Sequence, residues 1–362
     1  MISKRRTAII CFFLGICTGS IGQTAATSID TLDYKKIYGL AVRGEINLIL
    51  KSLDSFNAKR PQDAEFKSKF QDRFKYNSDR TDYFRRTDTT LNPIHRIFQE
   101  YWREGLLNYN DNIDTNLKQR LLDFLQRENA NIKYTDTAVS SGTLSRAYLK
   151  YIQSKGYQGT DFGKTGKFYD FIVWKESTPV LYNVTLPEDT INITVNFLSN
   201  FISLGWLEYA RLGNYYPGGW ATTDGLYCVA KAYDTTSEKF KVNFLKHEAQ
   251  HFADYLLYPN LAPNDLEYRA KLIEVYYNEN ELYPRIEYFI NNAKYDKTNS
   301  HPFANYCLIR DLSKMLFRKD WEADFLQWKK ISVERLHQAS LKALQQHSLK
   351  LRERSGSNTV LD

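Results

Sequence analysis

The sequence predicts an α+β chain, and three observations carry that prediction. Apolar residues recur at helical spacing through the first third. Period-two alternation appears between about residues 172 and 197. Helical spacing then returns from about residue 235 to near the end. With 43% hydrophobic and 25% charged residues over 362 positions, the chain can bury a core, as one large domain or two smaller ones, without disulfide staples. Tyr (26) and Phe (21) are abundant, which reads as an aromatic core whose tyrosines keep polar tips.

The opening residues read as a secretory signal peptide over residues 1–26. Lys4-Arg5-Arg6 is the positive segment, Ala8 to Cys17 the apolar run, and Gly22 or Ala26 the cleavage position. The apolar run is short for a bilayer span, so no stable membrane span is expected after cleavage, and the protein is expected to be exported, periplasmic or extracellular. Leu14-Gly15-Ile16-Cys17 loosely matches a lipoprotein box, but Ile16 is bulky where a small residue is needed, which argues against a lipid anchor at Cys17. Loss of Lys4, Arg5 and Arg6 lowers the net charge from +7 to +4. That mild value, with no basic run, excludes nucleic acid as a partner class. Cys228 and Cys307 remain, either as two buried free thiols or as a pair.

Taken in order, residues 30–60 have helical periodicity. Residues 61–90 are polar and charged, a solvated helix or long loop. Helices are expected over Pro93 to Leu107 and about Asp114 to Arg127. Composition shifts near residue 132. Ile172 to Trp174 and Thr178 to Leu186 are strand-like, and Pro187-Glu188-Asp189 is a turn. Ile191, Ile193, Val195 and Phe197 alternate with Asn192, Thr194 and Asn196, a half-buried strand. Phe201 to Leu212 is expected to be a helix and Leu226 to Ala230 a strand. A helix starts where Thr235 can cap and Glu238 can reach back, and it ends by Pro259. Further helices are expected from Asn264, over Tyr283 to Ala293, over Pro302 to Phe317, and from about Asp320 to Lys350.

His247-Glu248-Ala249-Gln250-His251 reads H-E-x-x-H inside the expected central helix. Residues four apart share a helix face, so both imidazoles can reach one ion, and the Glu beside the first His lies near its water. A hydrolytic zinc site needs three protein ligands and one open position. Zinc brings the pKa of its water to about 7, where a carboxylate can take the proton and pass it to a leaving amine. The pattern therefore predicts Zn2+ as cofactor, His247 and His251 as metal ligands, and Glu248 as catalytic base. The alternative is a partly buried His pair on a Tyr-rich helix face.

Over about residues 190–275 the chain resembles the gluzincin branch of the H-E-x-x-H metallopeptidases. In that branch a Glu on the next helix completes the site, in a motif that often reads E-x-x-A-[D/N]. Glu267-Tyr268-Arg269-Ala270-Lys271 has the Glu and the Ala. The resemblance implies a zincin-like catalytic core, a small mixed sheet plus the active-site helix, with Glu267 as third ligand and a peptide or protein as substrate. Asn264 and Glu267 also have the form of a capping box, and Glu274 is a further carboxylate in reach. Lys271 departs from the pattern, since the family often has an acid or amide there to orient a ligand His; Asp254 is the expected substitute. The branch with a third His is excluded, because Asp254 and Leu257 stand where its Gly and His belong.

An oxyanion donor is usual in such sites. His301, ahead of a helix start, is the catalytic candidate by type and position, against a plain loop or capping role; Tyr306 and Tyr268 stand behind it. His95, His337 and His347 lie in charged helical stretches and read as exposed. A peptide substrate would add a strand at Gly219 to Thr223 or Leu226 to Ala230, with Trp220 lining a subsite or simply packed. The expected organisation is a signal peptide over 1–26, an α-helical N-terminal region over 27–131, a zincin-like domain over 132–352 and a flexible tail over 353–362. The function expected is zinc-dependent peptide hydrolysis. The alternatives are hydrolysis of a non-peptide amide or ester, and a zinc-fold binding protein without activity.

Overall fold

The computed structural model describes residues 31–77, 89–128, 141–222, 225–354 and 358–361. The chain is α+β, and the contacts of the described residues divide it into two units: 31–177 with 198–218, and 178–197 with 219 onward. The sequence places a boundary at 131/132; residues 129–140 lie outside the described residues, and the observed division falls within two long strands instead. The expected signal segment over 1–26 also lies outside them. No helix among the described residues is long and apolar enough to cross a membrane.

The first unit opens with α1 (Tyr34–Val42), α2 (Ile46–Ser55) and α3 (Pro61–Gln71), which continues as a π-helical turn over Asp72–Tyr76. The stretch expected to be solvated carries a buried aromatic edge: Phe66, Phe70 and Phe74 recur at four-residue spacing and are all buried. Residues 78–88 lie outside the described residues. Then come α4 (Asn92–Leu107), α5 (Ile113–Glu128) and α6 (Ser141–Ser154), and the short strands β1 (Gln158–Gly159), β2 (Lys164–Thr165) and β3 (Phe168–Tyr169). The elements between 141 and 169 have no counterpart among those expected from the sequence.

Two segments expected as separate strands are one, β4 (Ile172–Thr185), and β5 (Thr190–Leu204) comes after the predicted turn, where the Leu186 N–H donates to the Asp189 carbonyl at 2.8 Å. Ile191, Ile193 and Val195 are buried on one face and belong to the core of the second unit. Past Phe197 the parity changes. Leu198, Ile202 and Leu204 are buried, Asn200 takes φ 57°, and Ile202 belongs to the core of the first unit.

The helix expected over Phe201 to Leu212 is largely absent. Residues up to Leu204 are strand, and only α7 (Trp206–Ala210) is helical. The break is Gly205, at φ +87°. The Trp206 N–H donates to the buried Asp170 carboxylate at 2.7 Å, and the Leu204 N–H donates to Glu208 at 2.9 Å. Burial nevertheless pushes Asp170 up to about 7. A Cβ on Gly205 would run into that Asp170 carboxylate.

In the second unit β6 (Gly219–Thr222) and β7 (Gly225–Val229) pair antiparallel; the strand order of the five-stranded sheet is β1-β4-β5-β7-β6, and β1 belongs to the first unit. Helices come next: α8 (Glu238–Phe240), a π-helical turn over Lys241–Lys246, α9 (His247–Leu257), α10 (Pro263–Tyr277), α11 (Leu282–Asn291), α12 (Ser300–Phe317), α13 (Phe325–Trp328) and α14 (Val333–Glu353). The single long helix expected from residue 320 is therefore two. Trp328 is buried with its indole N–H on the Glu322 carbonyl (3.0 Å), and Ser332 caps α14 by accepting the Arg335 N–H (3.4 Å). The tail expected to be flexible is anchored over 358–361. Asp265 accepts the Val360 N–H at 2.9 Å and the Thr359 hydroxyl at 2.5 Å, and Val360 is buried. Residues 355–357 lie outside the described residues. Cys228 and Cys307 are buried free thiols, and burial pushes each up to about 12.

Gly205→Ala combines a left-handed backbone penalty of roughly 1–2 kcal/mol with overpacking against Asp170, about 1–3 kcal/mol. The expected outcome is a clearly lower urea midpoint for the first unit. An unchanged midpoint would show that the Asp170 carboxylate yields freely.

Candidate metal centre

The helix carrying the motif starts later than its sequence suggests. Ser237, not Thr235, is the cap, accepting the Phe240 N–H at 3.2 Å. Glu238 does not reach back. Its carboxylate accepts the N–H groups of Glu279, Asn280 and Glu281, at 3.2, 3.2 and 2.9 Å, on the approach to α11. Three N–H donors outbid the one a capping box offers. The π-helical turn then leads into α9, which ends at Leu257, two residues before Pro259.

His247 and His251 lie one turn apart on α9, both fully buried, with their Nε2 atoms 3.1 Å apart. Helix α10 brings Glu267 to the same point. Its Oε1 lies 3.5 Å from His251 Nε2 and its Oε2 3.8 Å from His247 Nε2. Donors arranged tetrahedrally about an ion at about 2.0–2.2 Å sit about 3.3–3.6 Å from one another. The observed spacings bracket that range, and His247, His251 and Glu267 form a buried group that can hold a metal ion.

The remaining nitrogen of His247 is also placed. Nδ1 lies 2.7 Å from Glu274 Oε1, and Arg285 Nε lies 2.9 Å from Glu274 Oε2. A proton on Nδ1 facing Glu274 leaves the lone pair on Nε2, the form a ligand needs. The sequence pointed to Asp254 for this task, and Asp254 does not perform it. Asp254 takes Arg269 Nε at 2.9 Å on both oxygens and Gln250 Nε2 at 2.9 Å. Arg269 also donates to Ser348 Oγ (2.7 Å) and to Glu188 (3.1 Å). A buried guanidinium has the stronger claim on a buried carboxylate.

Glu267 is not a helix cap. α10 begins after Ala262 without a side-chain cap, and Asn264 Nδ2 donates to the Lys297 carbonyl at 3.1 Å. Glu267 Oε2 instead faces Lys271 Nζ (3.1 Å) and His301 Nδ1 (2.9 Å). Lys271, the departure from the family pattern, thus compensates a ligand carboxylate. The His301 side chain is 34% exposed, in contrast to the buried Glu267 it faces.

Burial dominates the electrostatics. It pushes His247 down to about 4, against the pull of Glu274. It also works to lower His251, but the adjacent Glu267 outweighs it and His251 is raised. Burial works to raise Glu267, yet His301, Lys271 and His251 hold it well below the usual carboxylate range. For Glu248 burial outweighs the nearby His251 and Lys271. Glu248 is fully buried, neither oxygen has a hydrogen-bond partner among the described residues, and burial pushes it up to about 8.

Other candidates lie away from this cluster. Trp220 is buried and stacks on Tyr227 with centroids 5.6 Å apart and planes 2° from parallel. The Tyr268 hydroxyl donates to Asp311 (2.8 Å), and Tyr306 stacks on Trp321. Three histidines expected to be exposed are not. His95 is buried and stacks on Phe171, His347 is buried 3.0 Å from Asp265, and His337 is partly buried against the Asn278 carbonyl. Sequence reasoning weighed Glu274 only as a ligand; its seven-residue spacing from Glu267, two turns on one face, was the available signal. Comparisons with protein-family models, curated proteins and solved structures find no match to this chain.

Arg269→Met strands Asp254 in the interior and is expected to cost about 3–5 kcal/mol, read as a lower denaturation midpoint. Adding Asp254→Leu should recover much of that loss. No recovery in the double variant would show that Arg269 acts through packing and not through its charge.

Proposed function

We propose that this protein is a zinc-dependent hydrolase of peptide bonds, with a zincin-like arrangement of motif helix and glutamate helix. One observation carries the reading: His247, His251 and Glu267 converge while Glu248, on the same helix, has a buried carboxyl group with no protein partner. Zinc is the ion of choice because two imidazoles and one carboxylate are a hydrolytic zinc donor set.

A bound zinc supplies Lewis acidity, which makes water nucleophilic near neutral pH and polarises a carbonyl. The chain's own residues do the rest. Glu274 keeps His247 in the ligating tautomer. Lys271 and His301 hold Glu267 as a carboxylate. Glu248 takes a proton from the attacking water and returns it to the departing amine. Its carboxylate form is favoured once positive charge occupies the centre, and its buried setting keeps its pKa close to the working range of a base. His301 spends Nδ1 on Glu267, and its Nε2 is the donor offered to the developing oxyanion.

The peptide as substrate class rests on the likeness of Glu267 and Ala270 to the gluzincin pattern. The sheet edge adds no support, because Gly219, Trp220 and Ala221 of β6 are buried. Export through residues 1–26 belongs to the same proposal. A second reading, zinc binding without turnover, is favoured by the near-complete burial of all three ligands, at 0, 0 and 2% exposure.

Two measurements test the proposal. Zn2+ at 100 times its dissociation constant should stabilise the metal-free protein by about 2.7 kcal/mol, and His251→Ala should abolish that shift. A shift that survives the substitution would place the metal elsewhere. Glu248→Gln should keep the zinc-dependent shift while cleavage of a mixed peptide library falls at least about 100-fold. Retained cleavage removes Glu248 from the mechanism, and a wild-type protein that binds zinc but cleaves nothing establishes the second reading.

A further inference from the structure

Four Lys or Arg side chains are buried among the described residues: Arg73, Arg211, Arg269 and Lys271. Three have partners. Arg73 donates to the Tyr209 carbonyl at 2.5 Å, Arg269 pairs with Asp254, and Lys271 pairs with Glu267. The fourth, Arg211, is 4% exposed, and its side chain makes no hydrogen bond or ion pair with any described residue. Its Nε and Nη2 are buried without a partner.

The surroundings suit an anion. Arg211 comes directly after α7 in the first unit. Its guanidinium carbon lies 5.2 Å from the centre of the Tyr215 ring, and Tyr38 packs edge-on against Tyr215, centroids 4.8 Å apart. The nearest acid in sequence, Glu208, is committed to the Leu204 N–H. Leu212 and Gly213 both take left-handed backbone angles, φ 56° and 84°, and for a buried leucine that is strain held by the surrounding fold. Burial pushes Arg211 down to about 10, which leaves it charged at neutral pH. An aromatic face offsets only part of the desolvation of a cation, and an unpaired buried charge is among the most costly features a fold can carry. The guanidinium edge offers paired donors that match two oxygens of one anion.

We propose that Arg211 anchors a binding site for a small oxyanion, a carboxylate or phosphate group that takes the guanidinium fork beside the Tyr215 ring. The site is independent of the metal centre and of the hydrolytic reading.

The test uses the full chain, freed of metal by chelation so that no anion can bind an ion at the motif. Unfolding midpoints are measured in inorganic phosphate, in acetate and in sodium chloride at matched ionic strength. Wild-type protein should gain a higher midpoint in phosphate or acetate over chloride, and isothermal titration should show one site. A gain in phosphate alone assigns the ligand as a phosphoryl group, and a gain in acetate alone as a carboxylate. Arg211→Met should lose the gain and, in chloride, unfold at or above the wild-type midpoint, because it removes an unpaired buried charge. Arg211→Gln carries the same comparison if the Met variant fails to fold. Absence of any gain in wild type, an equal gain in chloride, or a gain that survives in the variants overturns the proposal.

Discussion

Helix α10 is buried along its length from Asp265 to Val275 and carries five charged side chains there, Asp265, Glu267, Arg269, Lys271 and Glu274. A charge stranded in the interior costs several kcal/mol, so each must recruit a partner, and the recruited partners define the second unit. Asp265 draws in His347 of α14 and the C-terminal residues Thr359 and Val360. Arg269 gathers Asp254 of α9, Ser348 of α14 and Glu188 of the turn between β4 and β5. Glu274 ties Arg285 of α11 to His247 of α9. Glu267 and Lys271 meet His301 at the start of α12. The metal centre is one node of this network, and its ligands are held by the interactions that hold the helices together.

Within such a network, groups left without a partner carry information. Most buried polar groups in native proteins are satisfied. Among the described residues, both Glu248 oxygens and Arg211 Nε and Nη2 have no hydrogen-bond partner, and neither does His251 Nδ1. Neither Glu248 nor Arg211 is explained by stability, since replacing either with an apolar side chain of similar shape would remove a penalty. Perturbed groups of this kind concentrate at functional sites. Glu248 sits beside two imidazoles whose Nε2 atoms converge, which gives its unshared lone pairs a task. Arg211 sits beside the Tyr215 ring with two donor atoms unused among the described residues, which is what the proposed oxyanion would occupy.

The motif was legible because a four-residue repeat on a helix dictates geometry locally. His247 and His251 share a face whatever surrounds them. Glu267 was legible only with the family pattern, because its capping-box spacing with Asn264 fits a different local role equally well. The partner of His247 was not legible as Asp254 or as Glu274: both are acids within reach, and the choice is made by Arg269, whose burial nothing local announces. The same blindness to tertiary partners explains Glu238, whose capping-box spacing is overridden by three backbone donors from the approach to α11, and the histidines at 95 and 347, polar in sequence context yet buried on Phe171 and Asp265. Among the larger elements, the alternation of Ile191, Ile193 and Val195 marked β5 plainly. Its continuation past Phe197 did not show, because from Leu198 onward the buried apolar positions fall on the other parity. The helix expected over Phe201 to Leu212 failed at Gly205, whose left-handed turn is set by the Asp170 carboxylate packed against it, far earlier in the chain.

Lys271 shows the consequence of compensating the Glu267 carboxylate within the protein, while His251 Nδ1 is left without a partner among the described residues. Where a metal site is built only from its ligands, the carboxylate and imidazoles repel or desolvate one another until the ion arrives, and binding and folding become one event. Here Glu267 is already compensated by Lys271 and His301, and His247 is already oriented by Glu274. The donor atoms stand at near-ligating separations with protein charges alone balancing them. A cation placed beside Glu267 would have to share that carboxylate with an ammonium 3.1 Å away. An acid or amide at position 271 would impose no such competition. What Lys271 secures is the fold of α10 itself, because it balances a carboxylate that would otherwise be a costly uncompensated charge in the interior.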